Sequence, residues 1–442
     1  MERVHDFTKG NPVKIIMLFF MPMLVSNMLQ QLYNFADAAI VANGLGDDAL
    51  AAVGNMGTLM FLILGFSQGV AAGFGVPIAK YFGAADKEKL IKSVSGAAWM
   101  SVILTVVMTL LSVVFLKKAL VFMQTDEIIM DDCLTYGYIV FGGLFSTIAY
   151  NYGAFVLRAL GNSRTPFIAI IVSSVVNIVL DIITIYYFKT GVAGPALATV
   201  VSQLISAAIC FRSLLKIDFI HFDSIFKYND FSIYPELIKN GIPMAVMNSI
   251  TAVGCMVVQF FVNGNGTLYT AAYAVCIKYI DMFMQPAFTA GIAMSSFTGQ
   301  NFGARDFKRI KKGLWVCLAI AFATYVIFGS VMLLYAGPLA GIFLENEKAI
   351  ELTVEFLHIC GWTIIIVDCL FIVRSGLQGM GYPFLPMLSG VAEMFIRVAV
   401  VIFLSEQMGF AVTAYAEVAA WIGAFAMNGI GFLSAYNREK AL

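Results

Sequence analysis

Twelve long runs of apolar residues, separated by short polar segments, account for most of the chain. A helix needs about 20 mostly apolar residues to cross a bilayer, so each run is long enough to be one span. The pattern predicts an all-α membrane protein. The predicted spans cover roughly residues 13–41, 49–79, 94–121, 134–157, 166–187, 192–214, 241–263, 270–299, 314–338, 352–376, 383–405 and 411–435.

The composition agrees with this pattern and excludes several classes of protein. Of the 442 residues 60% are hydrophobic and 12% are charged, against about 25% charged in soluble proteins. Lys+Arg and Asp+Glu are balanced at 27 each, so there is no basic face for nucleic acid. The seven Cys show no C-x-x-C spacing, and we interpret them as reduced packing residues. Twelve spans leave no room for a soluble catalytic domain, so an enzyme is not expected.

The distribution of Lys and Arg predicts the orientation. Of 27 such residues, 21 fall in the terminal segments and alternate loops on one side, and 4 fall on the other side. Cytoplasmic loops carry the excess of positive charge, so both termini are predicted to be cytoplasmic in a multi-pass cell-membrane protein. The first apolar run has no small-residue cleavage site, so we take it as an uncleaved span. We expect a monomer in the lipid bilayer.

The sequence repeats itself at a spacing near 220 residues. Phe82-Gly83-Ala84-Ala85-Asp86 returns as Phe302-Gly303-Ala304-Arg305-Asp306, and each copy is followed by a basic run. Leu157–Gly161 returns as Leu377–Gly381, and each is followed by a proline. Such a repeat indicates that the fold is built from two related halves.

The repeat predicts an N-lobe at 1–215, a polar linker at 216–240 and a C-lobe at 241–442. Each half has an even number of spans, six, so both enter the membrane from the same side. The pseudo-twofold axis must then run along the membrane normal, as in several secondary transporters. Duplication can also reflect only how a helical bundle grew.

Four polar residues in the N-terminal spans are candidates for a cation site. Charged side chains within a membrane are costly and mark functional sites by default, and this half has two such carboxylates, Asp37 and Asp181. Asn177 precedes Asp181 by four residues on the same helix face, and Thr199 adds a hydroxyl. This oxygen-only set suits Na⁺ or a shared proton and does not suit zinc or copper. The alternative is that the acids only satisfy polar groups inside the bundle.

The C-terminal half does not reproduce this set. At the positions of the amide and the second carboxylate it has Glu393 and Arg397, an i,i+4 pair of opposite charge. It also carries Lys278 with Asp281 at i,i+3, and Asp368 alone on the tenth span. We consider all five as candidates for contact with substrate. Self-neutralising structural pairs are the alternative for the first four.

Several of these segments together resemble one family. They are Asn34–Val41 around Asp37, then Gly44–Gly46 and Ala49–Gly54, and the two repeated loop motifs. Together they are similar to the multidrug and toxic compound extrusion (MATE) transporters. The resemblance implies twelve helices in two six-helix lobes, and export of small, cationic drugs or metabolites in exchange for Na⁺ or H⁺, without a cofactor.

The resemblance also assigns roles to residues. The family's N-lobe cation site matches Asp37, Asn177, Asp181 and Thr199, the same four chosen above from the cost of burying polar groups. The family's first-helix proline, which bends during transport, matches Pro22. Some relatives use acids on the seventh and tenth helices instead; here the seventh span has none, and Asp368 lies about one residue from the tenth-helix position.

Two alternatives remain open. The first is a lipid-linked precursor flippase of the same superfamily, although the N-lobe cation set argues against it. The second is an intramembrane prenyltransferase, which would need two Asp-rich metal motifs facing one compartment, whereas the chain offers only the segment Asp126–Asp132. An ATP-driven pump is disfavoured because the sequence contains no Gly-Lys dipeptide and therefore no Walker A loop.

Overall fold

The computed structural model describes residues 5–217, 220 and 230–441, and in these ranges the regular structure is helical throughout. The predicted linker 216–240 therefore lies partly outside the described residues. The α-helices are α1 Pro12–Leu45, α2 Asp47–Gly83, α3 Lys87–Phe122, α4 Glu127–Gly142, α5 Leu144–Ala159, α6 Arg164–Ile182, α7 Ala193–Leu214, α8 Tyr234–Gly264, α9 Thr267–Gly303, α10 Phe307–Leu334, α11 Ala336–Gly341, α12 Glu347–Gly379, α13 Phe384–Met408 and α14 Val412–Ala441.

These helices form twelve rods, which confirms the predicted fold class. Nine apolar helical segments of the described chain are long enough to span a membrane, and the pair α4–α5 adds a tenth. The segment Phe384–Ala441 contains two helices, α13 and α14, joined by a short 3₁₀ turn. The remaining rod, α9, has 37 residues but falls below the mean hydropathy of 1.2 that the others reach.

The predicted span 134–157 is divided in the structure into two helices. α4 and α5 meet at Gly143 with a bend of 45°. A Cβ atom on Gly143 would lie 2.3 Å from the side chain of Val200, so this position must be a glycine for α7 to pack here. The Ser146 hydroxyl donates to the Gly143 carbonyl at 2.7 Å and satisfies part of the broken helix.

The chain forms two compact units. The first contains Met21–Ala245 with the residues before Phe7, and the second contains Phe7–Phe20 with Val246–Leu442. Each unit therefore includes the first turns of a helix whose remainder belongs to the other unit. These helices are α1, which changes unit between Phe20 and Met21, and α8, which changes unit between Ala245 and Val246.

Each unit has its own apolar interior, and large apolar side chains also cover the outside. On α3, the side chains of Val106, Leu110 and Val114 are 53%, 60% and 65% exposed. A soluble protein would not present such a continuous apolar face, whereas a bilayer accommodates it. This surface and the apolar spans make the chain a multi-pass membrane protein.

The repeated loop adopts the same conformation in both halves. Ala85 and Arg305 both have φ of 56°, in the left-handed region. The next residue in each copy, Asp86 or Asp306, accepts a hydrogen bond from the main-chain N–H three residues on and caps the following helix. The repeat found in the sequence is therefore also a structural repeat.

Candidate functional site

Two carboxylates meet inside the first unit. Asp37 lies on α1 and Asp181 lies one residue before the end of α6, and their carboxyl groups interact directly with each other. Gly44, seven residues after Asp37, permits this approach because a Cβ atom there would lie 2.4 Å from Ile185. Ile185 follows Asp181 by one helical turn, so the two helices pack tightly beside the acids.

The helix that carries Asp181 changes geometry immediately after it. Residues Ile183–Tyr187 form a π-helical turn, a geometry often found at functional sites. The Thr184 hydroxyl donates to the carbonyl of Leu180 at 2.8 Å and to that of Asp181 at 3.3 Å. These bonds stabilise the wider turn at the position where α6 meets α1.

Several polar atoms at this place have no hydrogen-bond partner among the described residues. They are Oδ1 of Asp37, both carboxylate oxygens of Asp181 and both amide atoms of Asn177. Asn177 is 1% exposed and Asp181 is fully buried, one turn apart on the same face of α6. An ionised carboxylate only accepts hydrogen bonds, so the facing oxygens of the two acids need a proton or a cation between them. Buried polar atoms normally have partners, so this cluster calls for a cation.

Two tyrosines complete the cluster, and the sequence analysis did not include them. Tyr33 on α1 and Tyr136 on α4 both interact with Thr199, and both lie near the two carboxylates. The structure therefore places all four predicted cation-site residues in one region. Tyr33 precedes Asp37 by four residues, so the i,i+4 spacing could have identified it, whereas no sequence signal marks Tyr136.

The charged residues of the second unit are arranged differently. Arg374 on α12 pairs with Glu393 on α13, and Glu393 lies 3.7 Å from Arg397 on the same helix. Arg397 makes hydrogen bonds of 2.9–3.0 Å from two nitrogens to both carboxylate oxygens of Glu417 on α14. We call these four residues the charge chain; it links three helices with two charges of each sign.

The charge chain extends the pair predicted from the sequence. Glu393 and Arg397 do contact each other, but each has a closer partner on another helix. Arg374 lies near the end of the predicted span 352–376 and is only 6% exposed. Glu417, which the sequence analysis passed over, is a charged residue in the predicted span 411–435, and that alone was a sufficient signal.

The other predicted residues of the second unit lie outside the charge chain. Asp368 on α12 is 2% exposed, and its Oδ1 has no partner among the described residues. Asp281 on α9 is exposed and interacts electrostatically with Glu417. The Lys278 ammonium lies 5.1 Å from the centroid of the Phe343 ring. The structure therefore does not gather the five candidates into one cluster.

Pro22 lies inside α1, close to the point where the helix passes from one unit to the other. Proline removes one main-chain hydrogen bond and its ring displaces the preceding turn. Pro243 has the corresponding place in α8. Both helices that change unit therefore carry a proline within three residues of the crossing point.

Comparison with known proteins gives one consistent result. The family model MatE matches the chain twice, at residues 22–183 and 243–404, one copy in each half. The probable multidrug resistance protein YoeA of Bacillus subtilis is 28% identical over 436 residues, which cover 95% of this chain and 91% of that protein. The probable multidrug resistance protein YpnP of the same organism is 30% identical over 315 residues, 70% of this chain and 69% of that protein.

The fold agrees with solved structures. A crystal structure of MATE in the bent conformation superposes with a TM-score of 0.90 at 22% identity, covering 98% of this chain and 97% of that chain. The double match of the family model and the curated relatives confirm the resemblance noted from the sequence. The chain therefore belongs to the MatE family of multidrug efflux transporters.

Proposed function

We propose that this protein is an antiporter that exports cationic or amphipathic organic compounds in exchange for Na⁺ or H⁺. The coupling cation binds at Asp37, Asn177, Asp181 and Thr199. The observation that carries the proposal is the group of unpartnered, buried oxygens on the first two acids and the amide. Its relatives are transporters, and we propose a carrier that releases its substrate chemically unchanged.

The geometry explains how a cation would act here. Two ionised carboxylates in contact repel each other strongly in a site of low dielectric constant. A bound Na⁺ removes this repulsion because oxygens of both acids coordinate it, and a proton removes it by neutralising one of the acids. The empty and filled states of the site therefore favour different separations of α1 and α6. This difference is what couples cation binding to a change of conformation.

We propose that α1 bends at Pro22 when the site changes state. Pro22 precedes Asp37 by fifteen residues, about four helical turns, on one continuous helix. A change in packing at Asp37 is therefore transmitted along α1 to a position where the helix already lacks a hydrogen bond. A solved MATE structure in a bent conformation supports this type of motion.

Substrate contacts are proposed for the second unit. Asp368 and Asp281 are carboxylates that the charge chain does not neutralise, and a carboxylate in the membrane attracts an organic cation. Lys278, Glu393 and Arg397 are weaker candidates, since the last two are occupied with Arg374 and Glu417. A single chain carries all of these residues, which is compatible with a monomer.

Substrate uptake into inverted membrane vesicles tests the proposal, because their cytoplasmic face is outside and export therefore runs into the lumen. A fluorescent organic cation is added outside, and a Na⁺ gradient with the higher concentration in the lumen is imposed while the pH gradient is collapsed; the reciprocal experiment imposes only the pH gradient. We expect transport with one gradient and its loss in Asp181→Asn. Transport that needs neither gradient would contradict antiport, and movement of a lipid-linked precursor without either would favour the flippase.

A further inference from the structure

The segment that leads into α1 is held by a set of hydrogen bonds inside the second unit. The Phe7 N–H donates to Oε1 of Gln300 at 2.8 Å, and the Phe7 carbonyl accepts from Nδ2 of Asn301 at 3.3 Å. The Arg309 guanidinium donates at 2.7–2.8 Å to the carbonyls of Phe7, Lys9 and Gly10. We call Gln300, Asn301 and Arg309 with these three main-chain residues the amide latch.

The Phe7 side chain strengthens this attachment. It is 1% exposed, and its ring lies 5.2 Å from the ring of Phe19 and 6.0 Å from that of Phe297. Burying the phenylalanine ring favours this attachment over a state that leaves the ring in water. The start of α1 is therefore held by both apolar packing and hydrogen bonds.

A second attachment holds the first turns of α8 inside the first unit. The Glu236 carboxylate accepts from Lys80 Nζ at 2.8 Å and from the Tyr81 hydroxyl. We call these three residues the ionic latch. α8 then lies so close to α2 that a Cβ atom on Gly73 would come within 2.5 Å of the main chain at Asn240.

The two latches correspond to each other in the sequence repeat. Lys80 and Tyr81 immediately precede the loop Phe82–Asp86, and Gln300 and Asn301 immediately precede its copy Phe302–Asp306. Each pair therefore binds the beginning of a helix, α8 or α1, that continues in the other unit. The repeat has kept the positions of the latch residues while changing their chemistry.

Each latched segment ends near the proline of its helix. α1 changes unit between Phe20 and Met21 and contains Pro22, and α8 changes unit between Ala245 and Val246 and contains Pro243. We propose that the amide latch and the ionic latch hold the first segments of α1 and α8 in place on the side predicted to be cytoplasmic, and that both latches release together as α1 and α8 bend at these prolines. This inference rests on the proposed alternating-access function.

The chemical difference between the latches makes them separable. The ionic latch depends on a partly exposed ion pair, which salt screens. Beside it, the Asp230 carboxylate has its pKa lowered to about 2 by the Ser232 N–H and side chain and by Lys92, so it stays ionised at neutral pH. The amide latch uses main-chain carbonyls and is expected to be insensitive to salt.

Cysteine labelling tests the proposal without any ion gradient. Ile16 is 1% exposed on the α1 segment, and Leu237 is fully buried on the α8 segment. Each is replaced by Cys in a Cys255→Ser background, which removes the exposed native thiol. A membrane-impermeant maleimide is added to inverted vesicles, and the rate of labelling is measured at each position. The background without an introduced Cys gives the rate from native thiols.

Releasing one latch is expected to expose both segments. Arg309→Ala should speed labelling at Ile16→Cys and also at Leu237→Cys by at least about fivefold, or ~1 kcal/mol. Glu236→Gln should do the same, and high salt, which screens the Lys80–Glu236 pair, should speed labelling of the wild type but add little to Glu236→Gln. If Arg309→Ala is poorly expressed, Arg309→Lys keeps the charge and loses the fork geometry that reaches three carbonyls.

Matched controls separate the latches from general loosening. Lys308→Ala removes a positive charge from an exposed position beside Arg309, and Glu127→Gln neutralises an exposed acid at the start of α4. Both should label at the wild-type rate. Faster labelling confined to the segment of the mutated latch would overturn the proposal, because it would show only local fraying. If a mutation in one latch speeds labelling of both segments but no cation gradient drives transport, the proposed function would be contradicted. The proposal about the latches would still stand.

Discussion

The acids of the two units are arranged in opposite ways. In the first unit, Asp37 and Asp181 meet with buried oxygens that have no donor among the described residues. In the second unit, Glu393 and Glu417 are each paired with an arginine in a chain of balanced charge. The first arrangement is incomplete without a cation, whereas the second is largely neutralised by the protein itself.

This difference shows how a duplicated fold can divide its work. Both halves match the same family model and share loop geometry, so architecture alone does not decide where the coupling cation binds. A buried ion pair adds little stability over apolar packing, but breaking it is costly. The charge chain therefore holds α12, α13 and α14 in one arrangement, while α1 and α6 of the first unit carry the proposed cation site.

Neutralising the first-unit acids should have the largest effect. Asp37→Asn and Asp181→Asn each remove a carboxylate from the cation set, and we expect both to abolish gradient-driven export. The Asn side chain keeps the shape and lowers the cost of membrane insertion, so expression should not fall. Uptake into inverted vesicles is the measurement, with Asp131→Asn on an exposed part of α4 as the control. Normal coupled export by either variant would contradict the assignment of that acid to the cation site.

Breaking the charge chain should affect stability. Glu393→Ala leaves Arg374 unpaired, at a cost of about 3–5 kcal/mol. Adding Arg374→Ala should recover much of this loss, because Arg397 keeps Glu417. Adding Arg397→Ala instead leaves both Arg374 and Glu417 without a partner and should lower stability further.

Thermal unfolding in detergent distinguishes these variants. The expected order of Tm is wild type, then Glu393→Ala with Arg374→Ala, then Glu393→Ala, then Glu393→Ala with Arg397→Ala. If Glu393→Ala with Arg397→Ala melted at a higher temperature than Glu393→Ala alone, Glu393 and Arg397 would form a self-contained ion pair. The rest of the charge chain would then have no role in stability.

Adding a methyl group between α1 and the π-helical turn should weaken cation coupling. In Gly44→Ala the new Cβ atom would meet Ile185 at 2.4 Å and force α1 away from α6. We expect the half-saturating cation concentration to rise about tenfold, or ~1.4 kcal/mol, within the usual cost of overpacking. Gly54→Ala on α2 is the control, since a Cβ atom there meets nothing within 4 Å. An equal effect of both substitutions would mean that helix propensity, not packing at the site, is responsible.

Changing the hinge should have the smallest effect. Pro22→Ala restores the main-chain donor that α1 lacks at this position and should slow turnover by less than about tenfold, or ~1.4 kcal/mol in the barrier, without changing cation affinity. Initial uptake rates and cation titrations measure the two quantities separately. Pro77→Ala, in the interior of α2, a helix that stays within the first unit, is the matched control. A Pro22→Ala protein with wild-type turnover would reduce this proline to a packing role.

Much of the fold followed from the sequence because membrane spans have a strong signal. Apolar runs and the repeated loops predicted the twelve rods and the two related halves. The bend at Gly143 was not predictable, since it depends on the contact with Val200 on a helix far along the chain. The passage of α1 and α8 between units was also not predictable, because contacts between distant segments determine it.

The candidate site was predicted in part for a similar reason. Asp37 and Asp181 are conspicuous because charge in a span is costly, and Asn177 follows from helical spacing. Tyr136 contributes from α4, and only the three-dimensional structure relates it to Thr199. In the second unit, Arg374 lies near the end of a predicted span, where Arg is common, so its burial was concealed until the structure placed it against Glu393.

Binding of the coupling cation to the purified transporter tests the central claim most directly. Na⁺ is titrated calorimetrically at fixed pH, and proton release on binding of the organic cation is followed in weak buffer, in wild type, Asp181→Asn and Asp368→Asn. We predict that Asp181→Asn loses the cation signal that wild type shows, whereas Asp368→Asn keeps it. Retention in Asp181→Asn with loss in Asp368→Asn would place the coupling site in the second unit and contradict the account.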